Sequence, residues 1–446
     1  MSATHPHTAG KLLELVGGDL RVPLVDGEWV RYVNLDNAAS APALRQVADA
    51  VEELLPYYGS VHRGAGFASL VSTEAYTRAR EVVRGFVGAR EDDLVLFTRN
   101  TTDAFNLLAG ALPPGTTVLT FAGEHHANLL PWRRGDVRHL PIPASPADAL
   151  AALEGALREV GDRALVSVTG ASNVTGEVWP IEAIARLAHA HGARVALDAA
   201  QLAAHRPIDI AAWDVDYVAF SGHKVYAPYG AGVLAGRADW LDAGRPYLAG
   251  GGAVRRVTVD DVQWATGPAR HEAGTPGALG AVAIAAAVRV LDAAGWDRIQ
   301  THEAELLERL LAGLEAIPGL RVYELWEDSD RVGVVSFNVA GLDPALLAAA
   351  LGAEHGIGVR DGGFCAHPLM DHFGSRHAVR ASIGVGTSAG DIDRVLGAVE
   401  LIARDGTSWS YVERNGYVLP DPDPRPRPSL GGLLSGPLPG GESPCR

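Results

Sequence analysis

Between Leu35 and Val290 the chain alternates short apolar runs with longer, alanine-rich stretches of helical periodicity. Such alternation is typical of βαβ units, whose strands form a parallel sheet covered by helices. The predicted strands are Leu94–Thr98, Thr117–Phe121, Ala164–Thr169, Arg194–Leu197, Tyr217–Phe220 and Gly232–Ala235. The predicted helices are Leu44–Leu55, Thr73–Val87, Thr102–Ala109, Ala147–Glu159 and Ile181–His191. Open sheets of this kind bind ligands beyond the carboxyl ends of their strands, so polar residues at those ends are the candidate site residues.

The rest of the chain predicts a smaller α+β unit and an extension. Its predicted elements are the helices Trp296–Ile317, Pro344–Glu354 and Ala389–Arg404 and the strands Val332–Val339 and Val379–Ile383. We expect residues 1–34 to pack with the small domain, 35–292 to form the large domain and 293–405 the small domain. Residues 406–446 form the predicted extension. Prolines alternate with charges from Pro420, so we expect disorder from there; Trp409, Tyr411 and Tyr417 before it suit a short hairpin packed on the surface.

Composition excludes several classes of protein. Of 446 residues, 47% are hydrophobic and 20% charged, which excludes a disordered or fibrous chain. A formal net charge of −15 disfavours binding to nucleic acid or an anionic membrane. Two cysteines cannot form a disulfide framework and favour a reducing, cytoplasmic setting. The longest apolar run, Ala278–Val288, is too short to span a bilayer, so we expect a soluble protein.

The most informative segment runs from Asp216 to Lys224, where an apolar strand leads directly into Ser221-Gly222-His223-Lys224. A lysine at a strand's carboxyl end lies at the floor of the crevice. Desolvation there lowers its pKa and allows the amine to attack a carbonyl and form an imine. Ser221 and His223 are suited to binding a phosphate. An ordinary loop lysine beside a histidine is the alternative, and this segment alone does not separate the two.

A second apolar strand, from Ala193, ends in the carboxylate of Asp198. A carboxylate and a lysine at neighbouring strand ends are what a pyridoxal phosphate (PLP) site requires. The carboxylate keeps the pyridine nitrogen protonated, and the lysine carries the cofactor as an imine. Asp198 is also suited to capping a following helix, and the two roles are compatible.

A series of short motifs extends this pattern over most of the chain. In order they are Leu35-Asp36-Asn37-Ala38-Ala39-Ser40, Val61-His62-Arg63-Gly64, Asn100-Thr101-Thr102-Asp103, Glu124-His125-His126-Ala127-Asn128, Ser172-Asn173-Val174-Thr175-Gly176, Asp198-Ala199-Ala200-Gln201, Ser221-Gly222-His223-Lys224, Gly250-Gly251-Gly252, Glu272-Ala273-Gly274-Thr275-Pro276, Val359-Arg360-Asp361-Gly362-Gly363-Phe364-Cys365 and Arg380-Ala381-Ser382. With these motifs, from about Leu35 to Ala403, the chain resembles the fold-type I, class V aminotransferase family of PLP enzymes, most closely the SUF-type (group II) cysteine desulfurases. The resemblance implies a large PLP-binding domain with a mainly parallel sheet and a smaller α+β domain.

The resemblance also implies a role for each matched residue. Lys224 would bond to the cofactor and transfer protons at the substrate Cα. The other implied cofactor contacts are His125 stacked on the pyridine ring, Asp198 at its nitrogen, Gln201 at the phenolate oxygen, Asn173 near the ring, and Thr102, Ser221, His223 and a second subunit's Thr275 at the phosphate. Arg380, with Arg360 as a further substrate contact, would bind the substrate carboxylate. Thr275 thereby implies a homodimer. A metal bound by His125 and His126 is discounted, because no cluster of further ligands accompanies them.

Cys365 decides between the implied activities. In the resembled desulfurases a loop cysteine attacks the substrate sulfur and becomes a persulfide while alanine is released, which requires a thiolate. A lone cysteine is otherwise a small buried hydrophobe. Gly363 and Phe364 stand where the family usually has two histidines, and Gly386-Thr387-Ser388 and Ala227 also depart from its pattern. Gly363 and Phe364 in place of polar residues predict a roomier, less polar mouth suited to a bulkier substrate.

Three functions follow. The first is a cysteine desulfurase that transfers sulfur from L-cysteine to Cys365. Its expected protein partner is a sulfur acceptor. The second is a C–S β-lyase, or another class V enzyme, acting on a bulkier amino acid or a cysteine S-conjugate without need of Cys365. The third is a catalytically retired homologue that serves as a binding scaffold, against which the set of Lys224, Asp198, His125 and Gln201 argues.

Overall fold

A seven-stranded sheet forms the centre of the chain, which a computed structural model describes over residues 10–433 except 162 and 328. From one edge to the other its strands are Leu94–Thr98, Gly232–Gly236, Tyr217–Ser221, Arg194–Asp198, Ala164–Thr169, Thr117–Phe121 and Asp136–Leu140. All neighbours are parallel except those of Gly232–Gly236, which runs antiparallel to both adjacent strands. The six predicted strands are present, and the predicted mainly parallel sheet is confirmed.

One strand, Asp136–Leu140, is absent from the sequence prediction. It lies at the edge of the sheet, and its sequence Asp-Val-Arg-His-Leu is mostly polar and largely exposed. An edge strand uses its backbone for pairing on one side and turns the other towards solvent, so it needs no apolar run. Hydrophobic periodicity therefore does not reveal it.

Helices and their hydrophobic clusters lie on both faces of the sheet. Adjacent strand residues such as Val95 and Leu96, or Val218 and Ala219, belong to different clusters because successive side chains point to opposite faces. The helices of this part are Arg45–Leu54, Phe67–Phe86, Thr101–Ala111, Pro146–Val160, Ile181–Ala190, Ala238–Ala243, Pro268–His271 and Ala278–Ala294. The helix Phe67–Phe86 begins six residues before the predicted start at Thr73. Its first turn exposes Phe67 and has no apolar face of helical period, so the hydrophobic pattern does not reveal it.

A second, smaller sheet has the strand order Leu320–Tyr323, Val334–Val339, Ala378–Ser382 and Arg360–Gly362, all antiparallel. Its helices are Trp296–Glu315, Pro344–His355, His367–His372 and Ala389–Asp405. The helices Trp296–Glu315, Pro344–His355 and Ala389–Asp405 share a hydrophobic cluster with the strands Val334–Val339 and Ala378–Ser382, separate from those of the large sheet. This is the α+β unit of the predicted fold class; the domain boundaries at 34, 292 and 405 stay predictions.

The segments at either side of this unit pack against it. Val33–Asn34 pairs in parallel with Ile357–Gly358, which joins the N-terminal segment to the small unit. At the other end Tyr411–Arg414 and Tyr417–Pro420 form an antiparallel hairpin against the helix Pro344–His355. The Tyr411 hydroxyl donates a hydrogen bond of 2.7 Å to Glu354 of that helix. The hairpin thus packs on the surface; residues 434–446 of the predicted disordered tail, including Cys445, lie outside the described residues.

Within the described part of the chain, no single helix is both long and apolar enough to cross a bilayer. The consecutive helices Ala278–Ala294 and Trp296–Glu315 meet the requirements of length and apolarity only together, and they are bent by 81° to one another.

Candidate active site

A cleft of about 410 Å³ lies at the carboxyl ends of the central strands, beside the small sheet. Most of the residues singled out in the sequence line it together: Thr102, His125, Asn173, Asp198, Ser221, His223, Lys224, Arg360, Cys365 and Arg380. They come from both sheets and from segments up to 278 positions apart in the sequence. The fold therefore brings the sequence motifs to one place.

Lys224 lies on the turn that follows the strand Tyr217–Ser221, and its backbone N–H donates to the Ser221 carbonyl over 3.2 Å. Burial lowers the pKa of the Lys224 amine to about 8, although Asp198 opposes the shift. A substantial fraction of such an amine is neutral near that pH, and only the neutral amine is a nucleophile. The geometry thus favours imine chemistry over an ordinary loop lysine.

Asp198 ends the neighbouring strand and is buried. Burial raises its pKa, while the Ala200 N–H and Lys224 oppose the increase. The Ala200 N–H donates to Asp198 Oδ1 over 2.9 Å, so one carboxylate oxygen stabilises the turn that follows the strand. The carboxylate also lines the cleft. The predicted helix cap at Asp198 is wrong, because the next helical turn, Leu202–Ala204, has Gln201 at its N-cap position and has no side-chain cap.

His125 is held by its own turn, in which the Ala127 N–H donates to His125 Nδ1 over 3.0 Å. Burial, reinforced by Lys224, lowers the pKa of His125 to about 3, so the ring is neutral. The preceding residue, Glu124, is buried and accepts from Thr169 N–H and Asn128 Nδ2 over 2.8 and 2.9 Å. Burial raises the Glu124 pKa to about 8, and the bonds from Asn128 and Thr169 oppose the shift. Sequence reasoning gave Glu124 no role, although its place beside His125 was a signal.

The helix Thr101–Ala111 points its first turn into the cleft, and Asn100 caps it by accepting from the Asp103 N–H. Ser221 Oγ accepts from the Thr101 N–H over 2.9 Å and lies 2.7 Å from the Thr101 hydroxyl. Burial lowers the pKa of His223 to about 4. A helix N-terminus with adjacent hydroxyl groups attracts an anion such as a phosphate.

Arg380 and Arg360 are direct partners on neighbouring strands of the small sheet. Arg380 is buried, its Nη1 donates to the Asn173 carbonyl over 2.8 Å, and its guanidinium lies 5.0 Å from the centre of the Phe364 ring. Burial lowers the pKa of Arg380 to about 10, with Asp36 opposing the shift. The two arginines are therefore placed to bind a carboxylate in the cleft, between the small sheet and Lys224.

The Cys365 loop is fixed at two carbonyl groups. The Cys365 carbonyl accepts from the His126 N–H over 2.8 Å, and the Phe364 carbonyl accepts from Asn173 Nδ2 over 2.8 Å. Phe364 and Cys365 both have left-handed φ values, 54° and 53°, which are strained for residues with a side chain. Strain of this kind persists only where the surroundings enforce it, so the thiol is held at a defined position in the cleft.

The space beside Gly363 is occupied by a side chain from farther along the chain. A Cβ atom at Gly363 would lie only 2.8 Å from Cδ2 of His367, so the His367 ring fills the space that this glycine leaves. His367 also packs edge-on against His126, with ring centres 4.6 Å apart. Neither Gly363 nor His367 is among the residues that line the cleft, so the roomier, less polar mouth stays a prediction.

Two sequence candidates lie outside the cleft lining. Gln201 is buried and donates to the Ala38 carbonyl over 2.9 Å, and Thr275 is exposed. The loop that carries Thr275 is anchored by Glu272, which forms a bidentate ion pair with Arg80 at 2.8 and 2.7 Å. Among residues 10–433 with the two gaps, no group of three potential metal ligands occurs.

Known proteins resemble this chain in sequence and in fold. The model of the class-V aminotransferase family matches residues 33–395. The chain belongs to the class-V aminotransferase family. A cysteine desulfurase of Pectobacterium atrosepticum is 36% identical to this class-V aminotransferase over 85% of the chain and 95% of the relative, and one of Haloferax volcanii is 37% identical over 86% and 93%. In structure, the apo cysteine desulfurase of Thermococcus onnurineus superposes with a TM-score of 0.77 at 33% identity, over 84% of this chain and 95% of that one.

Proposed function

We propose that this class-V aminotransferase is a PLP-dependent cysteine desulfurase that transfers the sulfur of L-cysteine to Cys365 and releases alanine. The observation that carries the proposal is the single cleft in which Lys224, Cys365 and Arg380 meet. The relatives named cysteine desulfurases support it.

The residues present fit PLP. A buried carboxylate (Asp198), a buried amine of lowered pKa (Lys224) and a neutral imidazole (His125) surround a cleft that ends at a helix N-terminus. These groups match the pyridine nitrogen, the aldehyde carbon, the ring face and the phosphate respectively. When bound, PLP supplies an electron sink for charge that develops at the substrate Cα.

The residues of the chain perform the remaining tasks. Arg380 and Arg360 bind the substrate carboxylate and so orient the amino acid towards Lys224. The Lys224 amine accepts the Cα proton and returns a proton to the product. The Cys365 thiolate attacks the substrate sulfur: an S–S bond forms, the C–S bond breaks, and its electron pair remains with the carbon skeleton. Protonation of that skeleton gives alanine.

Product analysis tests the proposal. The PLP-loaded protein is incubated with L-cysteine and a thiol reductant, and amino acids, keto acids and sulfide are quantified. Equal amounts of alanine and sulfide are expected. Pyruvate and ammonia instead would show β-elimination, the alternative C–S lyase activity, and would overturn the desulfurase assignment.

The proposal includes a homodimer. Residues 55–70 expose a run of large apolar side chains: Leu55, Tyr57, Tyr58, Phe67 and Leu70. Contiguous exposed apolar surface of this kind marks an interaction site. We place the same face of a second copy there, with its Thr275 loop reaching the phosphate end of the cleft. A cytoplasmic location, a SUF-type subgroup and a sulfur-acceptor protein complete the proposal.

Sedimentation velocity tests the dimer. The parent should sediment with the mass of two chains, and Phe67→Asp, which puts a charge in the apolar run, should shift it towards one chain. Tyr417→Asp, at an exposed ring of the surface hairpin, is the matched control and should remain dimeric. A monomeric parent, or a dimer that tolerates Phe67→Asp and not the control, would contradict this interface.

A further inference from the structure

Asp36 is a carboxylate in the cleft to which neither sequence reasoning nor the proposed reaction gives a role. Its backbone is fixed between the two parts of the chain, because it bridges to Ser382 of the small sheet and the Ser382 N–H donates to the Leu35 carbonyl over 2.6 Å. The Ala39 N–H donates to the Asp36 carbonyl over 3.1 Å. The position of the carboxylate is therefore built into the fold.

The carboxylate forms long ion pairs with both arginines. Asp36 Oδ1 lies 3.6 Å from Arg380 Nη2, and Oδ2 lies 3.9 Å from Arg360 Nη1. Both distances exceed hydrogen-bond length. Among the described residues, Asp36 Oδ1 and Arg380 Nε are buried polar atoms with no hydrogen-bond partner. Asp36 thus compensates the charge of Arg380 while leaving guanidinium N–H groups available to a second anion.

We propose that Asp36 is the built-in counter-ion of the substrate carboxylate site, neutralising Arg380 in the free enzyme and taking up a proton from solvent when a substrate carboxylate binds the arginines. The inference rests on the proposed function only for the nature of the ligand, an α-amino acid. Asp36 acts through Arg380 and is a positioning residue.

The surrounding charges set the direction of the effect. Burial raises the pKa of the Asp36 carboxyl, and the nearby charge of Asp361 raises it further. The charges of Arg380 and Arg360 oppose this increase. Tyr32 also faces Asp36, and its pKa is raised by burial and by that carboxylate. Lys224 and Cys365 face Arg380 from across the cleft. A bound carboxylate shares the arginine charge and adds a like charge beside Asp36, so the Asp36 pKa rises further. By linkage, substrate carboxylates bind more tightly as pH falls.

The test measures binding without turnover. The PLP-loaded parent and Asp36→Asn are titrated with L-alanine, which has no sulfur, and with L-alaninamide, which has no carboxylate, from about pH 6 to about pH 8. The absorbance of the bound cofactor reports binding. At the upper pH, Asp36→Asn should bind L-alanine about tenfold more tightly, because a competing like charge is gone. The difference in L-alanine affinity between the two proteins should become smaller as pH falls. Both proteins should bind L-alaninamide equally tightly.

A pH-indicator dye in weak buffer supplies a second measurement. The parent should take up a proton on mixing with L-alanine that Asp36→Asn does not, and this difference should vanish with L-alaninamide. Asp393→Asn is the matched control, because it removes the same charge from an exposed pair with Arg309 at 2.6 Å. It should behave like the parent.

Weaker alanine binding by Asp36→Asn, or equal changes for alanine and alaninamide, would overturn the inference. If that variant does not fold, the parent alone decides: alanine binding that tightens with falling pH relative to alaninamide, with proton uptake, supports the inference, and their absence overturns it. Because alanine is not desulfurated, these results are independent of whether L-cysteine yields alanine or pyruvate.

Discussion

Replacing Lys224 with alanine is expected to lower the rate of alanine release from L-cysteine by about a thousandfold or more. The substitution removes both the amine that bonds to the cofactor and the group that carries the Cα proton. Its burial and its pKa of about 8 make it the amine in the cleft suited to both tasks. The rate is measured by amino-acid analysis, and the absorbance of the lysine-bound cofactor should disappear in parallel.

The chain offers an unusually clean control for this experiment, because its only lysines are Lys11 and Lys224. Lys11 lies at the surface in an ion pair with Asp19 at 3.0 Å, and Lys11→Ala should turn over like the parent. Borohydride reduction of the PLP-loaded protein followed by peptide mapping should place the cofactor on Lys224. Label on Lys11, or normal turnover by Lys224→Ala, would refute the site.

Replacing Cys365 with alanine should reduce sulfide release by about a hundredfold or more while leaving cofactor absorbance and L-alanine binding close to those of the parent. Sulfide release and L-alanine binding should respond differently because Cys365 supplies the sulfur nucleophile, whereas neighbouring residues bind the substrate. The loop carbonyls of Phe364 and Cys365 bond to Asn173 and His126 irrespective of the side chain, so the cleft should keep its shape. Persulfide is detected on the parent by alkylation and mass spectrometry.

Cys445 is the matched control, since it is the other cysteine of the chain. Cys445→Ala should release sulfide at the parent's rate and still acquire persulfide at Cys365. Persulfide on Cys445, or undiminished sulfide release by Cys365→Ala, would show that Cys365 is not the acceptor. Pyruvate formation that survives Cys365→Ala would identify the lyase route.

Residues that follow a strong apolar strand were predictable from the sequence. Asp198 ends one strand and Lys224 lies on the turn after its parallel neighbour, so parallel register places the two side by side. The strand Asp136–Leu140 was not predictable, since an edge position removes the hydrophobic pattern. Hydrophobic periodicity therefore predicted most strands of the sheet and the pairing of Asp198 with Lys224.

Contacts between distant segments were beyond local rules. Asp36 meets Arg380 only because Asp36 bridges to Ser382, 346 positions along the chain. Equally, nothing local shows that His367 fills the space beside Gly363, which depends on the turn into the short helix His367–His372. The family resemblance predicted which residues belong to the site. Only the three-dimensional packing shows which of them lie in contact with one another.

The two carbonyl bonds that fix the Cys365 loop limit how far the sulfur can travel. A persulfide there moves by rotation about the bonds of one side chain, because the backbone on which it sits is bonded to His126 and Asn173. Delivery is therefore the task of the recipient. Under the proposed function, a receiving thiol would have to come on a protrusion narrow enough to enter a cleft of about 410 Å³, which a flat surface cannot do.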